Sequence, residues 1–191
     1  VEHPYADTTL TVELPEHVRV LDTLDVTDVP PLSDPDSAVH HVLANPIGLP
    51  YAALQPFSPT DSVLLVVSDS FRQTRADLFL PPLIAALNSR QIPDQNISIL
   101  FSTGVHRAPT PAEQRTILGS AVHDRFRPRL FSHDAETGLH VHVGTTSRGN
   151  SVEINERVLQ ADRVIVTGAI VLHYFGGFGG GRKSIVPGLA S

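Results

Sequence analysis

One stretch joins an apolar run, Val164-Ile165-Val166-Thr167-Gly168-Ala169-Ile170-Val171-Leu172, to His173, to glycines at positions 176, 177, 179, 180 and 181, and then to Arg182 and Lys183. Histidine titrates near neutral pH and can take or give a proton. Glycines let successive backbone N–H groups approach a ligand closely and form an anion-binding concavity. A lysine at the end of such a loop offers a point charge for a phosphate or an amine for covalent attachment. The spacing nearly matches the phosphate-binding pattern G-x-x-x-x-G-K-[ST], but Arg182 stands where that pattern needs lysine. Pro187 and Gly188 also follow too soon for the helix that should come next, which disfavours an ordinary nucleotide triphosphatase.

Two further clusters carry titratable side chains: Ser68-Asp69-Ser70-Phe71-Arg72, and Ser102-Thr103-Gly104-Val105-His106-Arg107. Each follows an apolar run, Ser62–Val67 in the first case and Ile97–Phe101 in the second, and both runs read as buried strands. Buried strands linked by helices form a parallel sheet, in which ligands bind at the carboxyl ends of the strands. The apolar run before His173 supplies a third strand, and all three clusters are expected on one crevice. Thr110, Pro111 and Glu113 have the spacing of a capping box, so His106 should lie just ahead of a helix N-terminus. The plain alternatives are a surface ion pair between Asp69 and Arg72, and histidines that serve only as hydrogen-bonded structural groups. Three strand ends carrying such residues at one sheet edge favour a functional site.

The remaining histidines say less. His140 and His142 share one face of a strand and could hold a metal, but they read as a solvated face. His40, His41 and His123 receive no functional reading. With no cysteine among 191 residues, a metal would need histidine, carboxylate or a sulfur brought by a cofactor.

Nine prolines punctuate the first sixty residues, where strands are expected at Thr9–Leu14 and Val18–Leu21 and a short helix at Asp36–Leu43. The chain therefore reads as one α/β domain over 1–191, with a mostly parallel sheet flanked by helices at 61–191 and a proline-rich segment, 1–60, wrapping it. A net charge of −6 without a basic run argues against nucleic acid as the main partner. No apolar run is long enough for a membrane span and no leader is evident, so the expected location is cytoplasmic. The end at Ser191, soon after the glycine-rich loop, suggests a fragment.

Taken together, Ser68-Asp69-x-x-Arg72, Thr103-Gly104-Val105-His106-Arg107, His133-Asp134-Ala135 and His173-Tyr174-Phe175-Gly176-Gly177-Phe178-x-Gly180-Gly181-Arg182-Lys183 with Pro187-Gly188 resemble the N-terminal domain of the lactate racemase family, the nickel-pincer-nucleotide enzymes. The resemblance extends to Leu10–Pro15 and Asn45-Pro46-Ile47-Gly48. It implies a 2-hydroxy acid racemase or epimerase in which His106 and His173 are the paired general acid and base, and Arg72 with Asp69 positions the substrate. It also implies that Lys183 is joined through an amide-like linkage to a nickel pyridinium-3,5-bisthiocarboxylic acid mononucleotide. Gly176, Gly177, Gly179, Gly180, Gly181 and Arg182 would accommodate that covalently bound cofactor.

The nickel-ligating histidine and a C-terminal domain completing the pocket are expected beyond Ser191, so this chain alone should be inactive. Cofactor-synthesis proteins are the implied partners. Phe71 and Arg75 depart from the family's usual threonine and proline, and the glycines at 176 or 177 and at 179 depart from its alanine and serine. These departures alter the pocket wall.

Overall fold

The computed structural model describes residues 1–22, 29–72, 74–173 and 177–191, leaving Gly176 and its neighbours Tyr174 and Phe175 outside the described residues. Two compact units are present, Val1–Leu32 and Ser33–Ser191. The first contains an antiparallel hairpin of β1 (Glu2–Tyr5) and β2 (Thr8–Thr11), closed at its open end by a hydrogen bond from the Val12 amide to the Val1 carbonyl. The expected strand over Thr9–Leu14 thus ends early. The strand expected at Val18–Leu21 is absent: Val18 closes a turn on the Pro15 carbonyl, and no described strand pairs with the exposed residues that follow. β-branched residues favour a strand only where a partner and a buried face exist.

In the second unit, α1 (Pro35–Ala44) begins where the Asp34 side chain accepts a hydrogen bond from the Ser37 amide, with proline in the first turn. A four-stranded parallel sheet follows in the order β5-β4-β3-β8, made of β3 (Val63–Ser68), β4 (Ile97–Ser102), β5 (Leu130–Ser132) and β8 (Arg163–Val166). Alternation along β3 and β4 divides the core in two. Val63, Leu65, Val67, Ile97, Ile99 and Phe101 face one side, where they pack with Leu80, Ile84 and Leu87 of α2 (Ala76–Ser89) and with Leu118, Val122 and Phe126. Those last three belong to α3 (Pro111–Leu118) and α4 (Ser120–Phe126). Leu64, Val66 and Leu100 face the other side, against Ile154 and Leu189. Both faces of the central strands are therefore covered, which is why they read as unbroken apolar runs. Pro81 and Pro82 lie inside α2, which survives them because its neighbouring residues are locked into this core.

A second hairpin, β6 (His140–Thr145) with β7 (Ser151–Asn155), and the short α5 (Glu156–Gln160) complete the unit's second face. The long apolar run before His173 is not a single buried strand. Only Arg163–Val166 joins the sheet, while β9 (Leu172–His173) pairs with β10 (Gly177–Phe178) in a separate hairpin. β8 matches β3 only as far as Val66, where the Thr167 amide and hydroxyl both cap the Val66 carbonyl.

Candidate active site

β3 lies between β4 and β8, so the segments leaving these three strands emerge side by side. They enclose a crevice of about 350 Å³ lined by Asp69 and Arg72 after β3, by Thr103 and His106 after β4, and by His173 and Lys183 beyond β8. Gly179, Gly180, Pro187 and Gly188 complete the last wall. Of the glycine-loop residues, Gly177, Gly181 and Arg182 do not line this crevice; Arg182 faces a neighbouring groove with Phe178, Ile185 and Val186. Lys183 sits in a tight turn, Gly181–Ser184, rather than at the start of an α-helix. The phosphate-loop alternative therefore lacks the helix N-terminus on which such loops rely.

Asp69 is only 2% exposed. One carboxylate oxygen accepts from the Phe71 amide at 3.1 Å and the other meets His106 Nδ1 at 2.6 Å. A buried carboxylate needs such partners, and this one is not half of a surface ion pair with Arg72. An ionised carboxylate only accepts, so against it Nδ1 is the donor, and Nε2 makes no hydrogen bond with a described residue. One ring face of His106 is covered by Phe71, whose centroid lies 4.5 Å away. Downstream, the capping box forms as its spacing predicts, and Glu113 also takes Arg107 in a bidentate pair at 2.6 and 2.7 Å. The guanidinium and the Thr110 amide hold the Glu113 carboxyl down at about 2.

On the opposite wall His173 is half-buried beside two cations. Partial burial, then the positive charges of Lys183 and Arg72, keep its pKa below the usual histidine value, so neutral imidazole is favoured. Lys183 is half-buried and makes no ion pair with a described carboxylate. Gly180 has φ +73°, and a Cβ there would come within 2.8 Å of the Ala169 carbonyl, so the chain can pass this point only as glycine.

Sequence reasoning missed what ties the walls together. Ser102 Oγ donates to the Ser184 carbonyl at 2.8 Å, and the Gly104 amide donates to the Gly188 carbonyl at 3.0 Å. Behind them lies His133, 1% exposed, whose Nε2 bonds the Ala190 carbonyl at 3.1 Å and whose Nδ1 faces the Asn155 amide nitrogen at 3.2 Å. The Asn155 oxygen caps Arg157, which fixes its nitrogen toward His133. Nδ1 must then accept and Nε2 donate, which defines a neutral structural histidine. Burial lowers its pKa against the opposing effect of the Ala190 bond, with a further lowering from His140. His140 packs edge-on against that ring and His142 bonds Ser151, and no metal-holding cluster occurs among the described residues. Only the pairing of a histidine with small polar neighbours across distant segments could have flagged this network, and that is not visible along the chain.

A parallel α/β sheet with histidines, arginine and lysine gathered at its carboxyl edge is the architecture of an enzyme-type ligand site. Residues 5–191 match the family model described as the lactate racemase N-terminal domain, and the chain belongs to that family. Lactate racemase of Thermoanaerobacterium thermosaccharolyticum is 29% identical over all of this chain and 44% of its own length; that of Lactiplantibacillus plantarum is 32% identical over 68% of this chain and 30% of its own. The structure of the T. thermosaccharolyticum lactate racemase apoprotein superposes with a TM-score of 0.82 at 28% identity, covering all of this chain and 43% of that one. A Thermotoga maritima protein shares the fold, with a TM-score of 0.61 at 24% identity over 82% of this chain and 38% of its own. The chain spans less than half the length of the curated relatives it matches. Among the described residues no helix is long and apolar enough to cross a membrane.

Proposed function

We propose that this chain is the cofactor-attachment half of a lactate racemase-like isomerase that inverts 2-hydroxy acids. The observation that carries the reading is the Asp69–His106 pair, at 2.6 Å, facing the same crevice as His173 and Lys183. Inversion needs a group able to take the hydroxyl proton and return it on either side of a planar 2-keto acid, and two histidines suit both duties near neutral pH. His106 would use Nε2, since Asp69 occupies Nδ1; His173 is kept neutral by its surroundings and can accept a proton from the outset. Arg72 supplies a planar donor fork for the substrate carboxylate. Asp69, which touches His106, positions the substrate indirectly by orienting that ring.

The residues present also fit the lysine-linked nickel-pincer nucleotide. Lys183 lines the crevice without a carboxylate partner among the described residues, and the absence of cysteine leaves sulfur ligation to the cofactor itself. When bound, that nucleotide supplies the hydride acceptor. Gly179 and Gly180 bring backbone close to Lys183 without side-chain obstruction. The second half of the polypeptide, cofactor-synthesis proteins as partners and a cytoplasmic setting belong to the same proposal.

The test is mass spectrometry of a full-length form made together with the cofactor-synthesis proteins. The peptide containing Lys183 gains mass and Lys183→Ala loses it, whereas a modified peptide elsewhere, or none, defeats the assignment. The 191 residues alone should not racemise lactate, because an open half-site neither excludes water nor fixes the substrate against both histidines.

A further inference from the structure

Phe71 is 56% exposed, yet it stands at the crevice rather than on open surface. Its ring rests against His106, and the Arg107 guanidinium lies 5.7 Å from its centroid. Val105, 91% exposed, lines the same crevice, as do Ala169 and Val171. Phe71 and Val105 thus set apolar surface beside the candidate base, Ala169 and Val171 line the crevice from the segment beyond β8, and Arg72 follows Phe71 in sequence. Water against such a surface is displaced favourably by an apolar group of matching size, and not by a methyl that cannot span it.

Charge narrows the choice further. A second carboxylate on the substrate would need a cation near Phe71, but Arg107 is already held by Glu113 at 2.6 and 2.7 Å. Resting on the racemase reading above, we propose that Phe71 determines specificity and selects 2-hydroxy acids with a bulky apolar, ring-bearing side chain over lactate and over dicarboxylic hydroxy acids. The carboxylate would meet Arg72, the hydroxyl would meet the histidines, and the side chain would lie on Phe71 and Val105. Stacked aromatic contacts of this kind are worth roughly threefold to tenfold in affinity, with the displaced apolar area adding to that.

The experiment is calorimetric binding of L-lactate, L-malate and L-3-phenyllactate to the full-length protein, repeated for Phe71→Thr and Phe71→Leu. The expected result is phenyllactate bound about tenfold or more tighter than lactate, a ratio that collapses toward unity in Phe71→Thr and is partly retained in Phe71→Leu. If lactate or malate binds as tightly as phenyllactate, or if Phe71→Thr weakens all three equally, Phe71 only props His106 and the inference falls while the racemase reading stands. If none of the three binds, both fall. Exposure of the side chain makes a folding failure in these variants unexpected, and circular dichroism checks it.

Discussion

Asp69 and the Thr103–His106 segment leave the sheet from strands that are almost wholly buried, whereas His173 and Lys183 sit on a small hairpin and a tight turn whose apolar neighbours Ile170 and Leu172 are 81% and 82% exposed. The first wall is set by the core: β3 and β4 are fixed by packing on both faces, so the Asp69–His106 pair comes ready-made. The second wall is set by backbone geometry, with glycines at positive φ and hydrogen bonds from Ser102 and Gly104 fastening it to the first. Of the two histidines proposed to move protons, His106 thus stands on the core-fixed wall and His173 on the other. The wall that would carry the attached group is shaped by small residues whose replacement changes its course. Preorganisation of the first is worth most where charge moves.

The sharpest way to break this contrast is at Asp69. If Asp69 and His106 act as one unit, Asp69→Asn and His106→Ala in the loaded full-length enzyme each lower kcat/KM by about 10²- to 10⁴-fold, and the double variant loses little more than the worse single. Additive losses would mean that the two act separately. On the proposed reading, attachment at Lys183 should persist in all three variants, since the damage lies on the other wall.

A smaller effect is expected where the walls meet. A Cβ at Gly188 would collide with Ser102 Oγ and come within 2.5 Å of the Ser184 carbonyl, breaking the hydrogen bond between them. Gly188→Ala should therefore destabilise by about 2–4 kcal/mol. At Gly177, with φ +73° and nothing within 4 Å of an added Cβ, alanine should cost only about 1 kcal/mol of backbone strain. Thermal unfolding of the two variants measures the difference, and equal losses would show that the hairpin is as tightly built as the junction.

The mildest effect concerns pH. His173 has its pKa lowered by partial burial and then by Lys183 and Arg72, so its neutral form persists to lower pH than that of an ordinary histidine. A histidine depressed in the folded state contributes stability that is complete above its unfolded pKa and is lost as pH falls through the folded one. Imidazole NMR titration of the cofactor-free protein should give a midpoint below the usual value. Lys183→Ala and Arg72→Gln should each move it upward, and a midpoint unchanged by both would remove the cations from the account.

Much of the fold was legible because burial writes itself into composition. The runs Ser62–Val67 and Ile97–Phe101 could only be strands covered on both faces, and Thr110-Pro111-x-Glu113 could only open a helix. The same logic failed for Val18–Leu21, which has the residues of a strand but no described partner, and for Ile170–Leu172, whose apolar side chains lie past the end of the sheet. Apolar composition reports a preference for burial, not whether a neighbour is there to provide it.

The amino-acid sequence by itself determined the parallel sheet, the three polar strand ends and the identity of His106, His173, Arg72 and Lys183 as the groups that gather there. Only the tertiary structure decided how they are used. It gave Asp69 to His106 rather than to Arg72, put Phe71 across the imidazole, set Lys183 in a turn instead of on a helix, and buried His133 as the tie behind the crevice. The physical reason is range. Periodicity and capping are local properties carried by neighbours in sequence, whereas hydrogen bonds spanning 37, 57 or 82 residues exist only once the sheet has brought its ends together.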